Sequence, residues 1–225
     1  MNDDRMDRAV LVSIQVGAPR LLGATAPTDR PWRTGYVKEP VDGPVWLGRT
    51  NLEGDGQGNR KVHGGPEMAV LAYAADHYPG WRAELDRPDF PHGAFAENFT
   101  IAGLDEQTVC VGDVYAIGAA RVQVSQPRQP CASISRRWGI EQLTTRVLET
   151  GRTGWYLRVL DEGDVASGVP VLLLDRPAPE WTVERVHAVM RHRHRDPEAA
   201  AALAACPLLA ARWRAMLAEA AAPTR

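Results

Sequence analysis

The chain has 225 residues and a formal net charge of −2, from 26 basic and 28 acidic side chains. Its composition, 44% hydrophobic and 24% charged, is that of an ordinary globular protein and excludes collagen-like, mucin-like and wholly disordered chains. So small a net charge gives no global field that would recruit nucleic acid or anionic lipid, and neither partner is expected. The length predicts one full domain with a small appendage.

The sequence shows no sign of membrane insertion or export. No segment approaches the ~18 consecutive apolar residues of a membrane helix, and no apolar stretch follows the charged residues 1–8 as in a secretory signal. Cys110, Cys131 and Cys206 are far apart and odd in number, so they predict neither a disulfide framework nor a Cys-x-x-Cys metal site. We therefore expect a cytoplasmic protein in which any reactive cysteine acts singly.

The first 176 residues consist of short apolar runs broken by Gly and Pro, which predict a mainly β domain. Helices are predicted at 74–86, 132–138 and 140–149, with Gly151 ending the last one, and 118–120 predicts a tight hairpin. So many short strands favour a closed or nearly closed barrel over a sandwich. The predicted strands are 9–16, 35–41, 45–48, 68–73, 94–101, 108–111, 114–117, 121–125, 155–160 and 169–174.

Beyond a stiff, proline-containing linker at 177–179 the apolar period becomes helical. Thr182 is a predicted N-cap, and Asp196 with Pro197 predicts the start of a second helix. The sequence thus predicts two units, a β-barrel domain over 1–176 and a small three-helix module over 180–222. The apolar stripes that predict the first and third helices are Val183, Val186, His187 and Met190, then Leu209, Trp213, Met216 and Leu217.

The segment 125–131, Ser-Gln-Pro-Arg-Gln-Pro-Cys, leaves a predicted strand and enters a predicted helix. Its two prolines stiffen the backbone and present Cys131 in a defined place. A helix start and Arg128 three residues earlier both favour the thiolate, the form that attacks electrophiles or binds soft metals. The alternative is an inert buried cysteine, which is the interpretation we keep for Cys110 and Cys206.

Residues 51–66 form a long glycine-rich segment whose second half is basic. Glycines let backbone N–H groups approach an anion closely, and Arg60 and Lys61 offer positive charge. The Gly-Lys-Ser/Thr of a P-loop is absent. A surface loop with solvated charges is the alternative, and His63 is a candidate ligand, acid–base group or turn-stabilising side chain.

Two further polar segments have competing interpretations. Asn98, in a predicted strand, either points into a barrel mouth and meets a heterocyclic ligand, or caps a turn at a strand end. The basic run 191–195 is best explained as cations at a helix C-terminus, because His192 and His194 would not share a helix face.

Three segments in combination resemble the signature motifs of the MOSC family, named for the C-terminal domain of molybdenum cofactor sulfurases. They are Lys-Val-His-Gly-Gly-Pro at 61–66, Ala-Glu-Asn-Phe-Thr at 96–100 and Gln-Pro-Arg-Gln-Pro-Cys at 126–131. The tail at 181–221 resembles the three-helix extension of the YiiM-like branch. The sequence departs from the pattern at Glu67-Met68, where Asp and a basic residue are usual, and at Asn51, where Gly is usual.

The resemblance implies a MOSC-type β-barrel that holds a molybdenum cofactor, with Cys131 as catalytic residue and thiolate ligand of the metal. It implies reduction of N-hydroxylated compounds such as 6-N-hydroxylaminopurine to amines, a detoxifying reaction. No flavin, haem or iron–sulfur motif is found and pyridoxal phosphate is not expected, so the electrons would come from a separate flavin-type reductase. The residues then expected around the cofactor are Arg60, Lys61, His63, Asn98, Gln126 and Arg128, with their loops meeting at one barrel mouth.

Two other functions remain open from the sequence. One is a sulfur carrier with a persulfide on Cys131. The other is a module that stores or delivers the molybdenum cofactor without turnover. Metal content separates the sulfur carrier from the enzyme, and reductase-coupled turnover separates the delivery module from it.

Overall fold

A computed structural model describes residues 9–23, 30–59 and 63–222. This part of the chain is mainly β, with six α-helices, of which the last three form the C-terminal module. The strands are β1 (Val10–Val16), β2 (Arg20–Leu22), β3 (Trp32–Thr34), β4 (Glu39–Pro40), β5 (Val45–Leu47), β6 (Val70–Ala74), β7 (Phe99–Ala102), β8 (Val114–Ile117), β9 (Ala120–Pro127), β10 (Trp155–Asp161), β11 (Gly163–Val165) and β12 (Val171–Asp175).

Eight strands form the main sheet, in the order β12-β8-β9-β10-β6-β7-β1-β4. Its neighbours are antiparallel except β6 and β7, which are parallel. Backbone bonds also join β1 to the segment before β12: the N–H of Leu11 donates to Val169 O at 3.0 Å, and the N–H of Gly168 donates to Leu11 O at 2.7 Å. The ends of the strand order thus approach each other, while a fully closed barrel stays a prediction.

The remaining strands form two short pairs, β2 with β3 and β5 with β11. The hairpin predicted at 118–120 is confirmed, because β8 and β9 pair directly up to Ile117 and Ala120. Gly118 takes a left-handed φ of 58°, which suits the tight reversal.

The helices are α1 (Tyr78–Glu84), α2 (Ser133–Trp138), α3 (Leu143–Thr150), α4 (Val183–His192), α5 (Pro197–Ala204) and α6 (Ala211–Ala221). The predicted caps are confirmed: Thr182 Oγ1 accepts from the N–H of Arg185, and the Asp196 carboxylate accepts from the N–H of Ala199. Gly151 ends α3 with a φ of 71°. Across the described residues, no helix combines the length and apolarity that a membrane span requires.

Three of the predicted strands are wrong in part, because other interactions take the place of the backbone hydrogen bonds that would pair them with neighbouring strands. At 35–38 the backbone is irregular, and Gly35 lies so close to Gly56 that a Cβ would meet its carbonyl oxygen at 2.0 Å. Residues 94–98 form a turn in which Ala96 has a left-handed φ of 63°. Between 108 and 111 the Asp105 and Asp113 carboxylates accept from the N–H groups of Thr108 and Cys110, and the other two N–H groups donate to backbone carbonyls outside a strand ladder.

The apolar core runs continuously from the sheet into the C-terminal module. Buried strand residues such as Leu11 and Leu157 belong to the same cluster as Val186, Leu203 and Trp213 from the module. Fully burying each such side chain contributes about 1.5–3 kcal/mol, so burial in this shared cluster stabilises the module. A second, largely aromatic cluster lies under α1 and α2 and includes Tyr73, Tyr78, Trp81, Phe90 and Phe95.

Candidate functional site

Segments that are far apart in sequence meet around one cavity of about 340 Å³. Most of its wall is irregular backbone rather than strand, as is common for binding sites on a rigid sheet. The wall is formed by residues 32–36, 38, 55–59, 63–64, 68–69, 71, 96, 98, 128–129, 131, 133 and 156. His63, Asn98, Arg128 and Cys131, which the sequence predicts as site residues, therefore lie on the same cavity.

Cys131 is presented by the turn between β9 and α2. The N–H of Arg128 donates to Gly154 O at 2.9 Å, which continues the β9–β10 contact one step beyond the paired strands. The carbonyl of Cys131 then accepts from the N–H of Ile134 at 3.1 Å and from Thr144 Oγ1 at 3.2 Å. These bonds fix the backbone on both sides of the thiol.

The surroundings of the Cys131 sulfur favour the thiolate. Burial by itself raises the pKa of the thiol. Hydrogen bonds from His63 and from the hydroxyl and backbone N–H of Ser133, together with the Arg128 charge, outweigh burial and lower the pKa to about 6. Because α2 has only six residues, we attribute the shift to these specific donors rather than to a helix dipole. The predicted thiolate is thus explained by contacts that sequence spacing did not reveal.

Arg128 is a buried cation whose Nη1 has no hydrogen-bond partner among the described residues. Burial lowers the pKa of a guanidinium, but Tyr36, Tyr156 and the Cys131 thiolate hold the pKa of Arg128 above its ordinary value. In the described part of the chain no carboxylate forms an ion pair with it. A buried donor without an acceptor costs about 1–3 kcal/mol, so this wall of the cavity favours an anionic ligand.

The glycine-rich segment contributes His63 and its neighbour Gly64. The N–H of His63 donates to Asn59 O at 3.1 Å, which closes the loop. Gly64 has a φ of 79°, and a Cβ there would meet the Gln57 side chain at 2.6 Å, so only glycine suits this turn. Arg60 and Lys61, predicted to contact the cofactor, lie outside the described residues.

Asn98 lines the cavity, as predicted, whereas Gln126 is not among the residues of its wall. Asn98 Oδ1 accepts from the N–H of Leu71 at 3.2 Å and Nδ2 donates to Gln15 O at 3.2 Å, so its amide ties β6 to β1 at a turn. Asn98 thus both holds a turn and lines the cavity, and its contact with a cofactor stays a prediction. Gln126 is a buried residue of β9, paired with Tyr156, and it is not part of the wall, because β9 continues through Pro127.

The sequence missed a buried ion pair in the cavity wall. Lys38 Nζ contacts Asp55 Oδ1, and the two side chains are only 6% and 1% exposed. Burial lowers the pKa of Lys38, and the Asp55 charge opposes that shift. One signal was available, since Lys38 is one of only two lysines among 26 basic residues. Tyr36, Ser133 and Tyr156 were missed as well, because nothing local marks them as site residues.

Residues 59–172, just over half of the chain, match the MOSC domain family. The chain belongs to the MOSC family. Residues 181–219 match the YiiM-like three-helix domain, which covers helices α4 to α6. The MOSC family is associated with molybdenum cofactor binding. The resemblance drawn from the three motifs and the tail is thus confirmed.

Similar proteins extend over most of this MOSC chain. The YflK protein of Bacillus subtilis is 39% identical over 211 residues, 94% of each chain. The crystal structure of YiiM from Geobacillus stearothermophilus is 34% identical, with a TM-score of 0.80 over 95% of this chain and all of that one. A Gibberella moniliformis protein named reductase is 39% identical over 164 residues, which are 72% of this chain but 29% of that protein.

Proposed function

We propose that this protein holds a molybdenum cofactor in the 340 Å³ cavity and reduces N-hydroxylated compounds, such as 6-N-hydroxylaminopurine, to amines. The observation that carries the proposal is a Cys131 thiolate on the same cavity as the buried Arg128 guanidinium, whose Nη1 has no hydrogen-bond partner among the described residues. Family membership and the similarity to a protein named reductase support the same conclusion.

The residues present fit such a cofactor. A single soft thiolate is a suitable protein ligand for molybdenum, and Cys131 supplies it. The cavity lies in the range of about 300–1,000 Å³ that small-molecule sites occupy. A pterin cofactor carries a phosphate, and the unpaired Nη1 of Arg128 marks a demand for an anion. Arg60 and Lys61 stay our proposed additional contacts to that phosphate.

Each nearby side chain has a definite task in this proposal. When bound, the cofactor supplies the two-electron chemistry, while the protein supplies binding, orientation and electrostatics. His63 and Ser133 hold the Cys131 sulfur as a thiolate, and Arg128 balances its charge. Tyr36 and Tyr156 line the cavity and lie next to the guanidinium. Asn98 holds the turn that closes this part of the wall.

The electrons come, in this proposal, from a separate flavin-type reductase in the cytoplasm. The fungal protein named reductase supports this indirectly, because the similar region is 29% of its length. A small-molecule substrate and a protein electron donor are therefore the partners that we propose.

We also propose that 1–176 and 180–222 are two units and that the main sheet closes into a barrel. The family matches, 59–172 and 181–219, lie on either side of the proline-containing linker. The backbone bonds between Leu11 and residues 168–169 support closure.

Metal content tests the proposed cofactor. The protein is made in a host that synthesises molybdenum cofactor, and molybdenum per chain and pterin fluorescence are measured. We expect both in the wild type and in Cys206→Ser, a matched change at a buried cysteine outside the cavity, and neither in Cys131→Ser. Wild-type protein without molybdenum would contradict the proposal, and persulfide released by cyanide from Cys131 would favour the sulfur carrier.

Turnover tests the proposed reaction. Loaded protein is supplied with 6-N-hydroxylaminopurine and with electrons from reduced methyl viologen, and the amine product is quantified. We expect product in the wild type, Cys110→Ala and Cys206→Ser, and none in Cys131→Ala. Molybdenum-loaded wild type without product would favour the non-catalytic delivery module.

A further inference from the structure

Lys38 lies in the walls of two cavities. One is the 340 Å³ cavity that it shares with Cys131 and Arg128. The other is a small cavity of about 40 Å³, which is also lined by Tyr36, His92 and Arg137. The Lys38 side chain is only 6% exposed, so it contacts both cavities while being almost shielded from bulk solvent.

We propose that Lys38 is the proton donor to the substrate in the large cavity and is reprotonated through the small one. This inference rests on the proposed function, which requires a proton source. Reduction of R–NH–OH by two electrons from the reductase and two protons breaks the N–O bond and gives R–NH₂ and water. The Lys38 ammonium gives one proton to the departing oxygen and becomes an amine. A proton from solvent restores the ammonium, which then supplies the second proton to nitrogen.

The groups around Lys38 allow its ammonium to release a proton rather than to keep it permanently. Two carboxylates face it, Asp55 in direct contact and Glu97 farther away, and both favour the ammonium. Tyr36, His92 and Arg137 face it across the small cavity. Burial is the largest influence and lowers the pKa of Lys38, which brings it nearer to working pH. Asp55 stays in contact and orients the amine throughout.

The Lys38–Asp55 ion pair also stabilises the local structure, and the test must distinguish this effect from proton transfer. Asp55 Oδ1 accepts from the N–H of Gly17 at 2.8 Å, and the Asp55 carbonyl accepts from Asn51 Nδ2 at 3.0 Å. Lys38 therefore helps to hold the glycine-rich segment. An arginine at position 38 keeps the positive charge for Asp55 but does not release a proton near neutral pH. Lys38→Arg thus preserves the ion pair and removes the proposed proton transfer.

The first measurement uses cofactor-free, full-length protein and needs no turnover. Because the chain has only two lysines, labelling with [¹³Cε]lysine gives two NMR signals, assigned with Lys38→Arg or, should that variant not fold, with Lys61→Arg. We expect the Lys38 signal to titrate below the ordinary lysine pKa of about 10.4, and lower still in Asp55→Asn. A Lys38 signal that titrates at or above the ordinary value would overturn the proposal.

The second measurement is the pH dependence of turnover per bound molybdenum with reduced methyl viologen. We expect Lys38→Arg to retain molybdenum, to lose about 10²- to 10⁴-fold in kcat, and to lose the part of the wild-type pH profile that Lys38 produces. The control is Arg20→Met, which breaks an exposed ion pair with Glu39 and should keep wild-type turnover.

The outcomes separate this proposal from the proposed function. Wild-type kcat and pH profile in Lys38→Arg would overturn the role of Lys38 and leave the reductase function intact. Loaded wild-type protein that never reduces the substrate would overturn the reductase function and, with it, this inference. Loss of molybdenum in Lys38→Arg, with normal kcat for the molybdenum that remains, would show a purely structural role and also overturn it.

Discussion

Two cysteines of this protein each lie close to an arginine, yet they have opposite acid–base character. Beside Cys110, Arg176 donates to both oxygens of Asp113, at 2.9 and 2.7 Å. Burial, together with the Asp113 charge, raises the pKa of Cys110 to about 11. Beside Cys131 no such carboxylate neutralises Arg128 in the described residues, and the pKa of the thiol is lowered to about 6.

The difference shows how the same residue pair serves structure in one place and binding in the other. Asp113 is fully buried and accepts four hydrogen bonds, including those from the Cys110 N–H and the Tyr115 hydroxyl. The negative charge of Asp113 is therefore compensated by groups within the protein. At the cavity, Arg128 Nη1 has no hydrogen-bond partner among the described residues, and the Cys131 thiolate is one of the groups that favour the cationic form of Arg128. Unpaired buried charge is costly, so its presence at a cavity indicates a ligand.

The largest effect on stability is expected from breaking the Asp113–Arg176 ion pair beside Cys110. Asp113→Asn removes the charge of a fully buried carboxylate that accepts two hydrogen bonds from Arg176, and should lower the free energy of unfolding by about 3–5 kcal/mol. Urea denaturation followed by circular dichroism measures this. The control, Asp89→Asn, removes the partner of Arg87 in an exposed ion pair and should cost less than about 1 kcal/mol. Equal losses of unfolding free energy in Asp113→Asn and Asp89→Asn would show that the buried ion pair stabilises the protein no more than the exposed one.

A second large effect concerns pH at the junction with the helical module. Burial, and then the Arg191 charge, lower the pKa of His187 to about 4. The unfolded chain binds this proton below its ordinary pKa of about 6.5, so the free energy of unfolding should fall by about 3 kcal/mol as pH decreases from 6.5 to 4. Denaturation across this range should show that slope in the wild type and in His194→Phe, but a smaller slope in His187→Phe. The same slope in His187→Phe would contradict the assignment.

A smaller effect is expected at Arg128, where it distinguishes a role in binding from a role in stability. Arg128→Met removes a buried cation whose Nη1 has no hydrogen-bond partner among the described residues, so the cofactor-free protein should lose little stability. Retention of the cofactor should weaken by about 1.5–3 kcal/mol, roughly 10- to 150-fold. Unfolding of cofactor-free protein and molybdenum retained during dialysis measure the two quantities. A strongly destabilised variant that keeps its molybdenum would reverse our interpretation of Arg128.

The sequence predicted those parts of the fold that local chemistry determines. The caps at Thr182 and Asp196, the glycine that ends α3 and the hairpin at Gly118 are each set by a few neighbouring residues. It failed at 94–98, where alternation favoured a strand. There the buried Glu97 carboxylate accepts from the N–H groups of Gly93 and Phe95 and stabilises a turn. A side chain that takes over backbone donors leaves no trace in the apolar pattern.

The same distinction holds for the site. His63, Asn98, Arg128 and Cys131 belong to recognisable motifs, and the structure brings them to one cavity. The Lys38–Asp55 pair joins two segments whose contact depends on the tertiary fold, so spacing did not identify it, and the rarity of lysine marks Lys38 without revealing its partner. Tyr156 lies in an ordinary strand and faces the cavity only because β10 pairs with β9.

The most direct test of this account is the ionisation of Cys131 in cofactor-free protein. Iodoacetamide alkylation is followed from pH 4 to 10, and peptide mapping reports Cys131 separately from Cys110 and Cys206. We predict a midpoint near 6 for Cys131, with an upward shift in Arg128→Met. A midpoint at or above the ordinary thiol pKa of about 8.5 would show that the cavity does not hold a thiolate and would contradict the account.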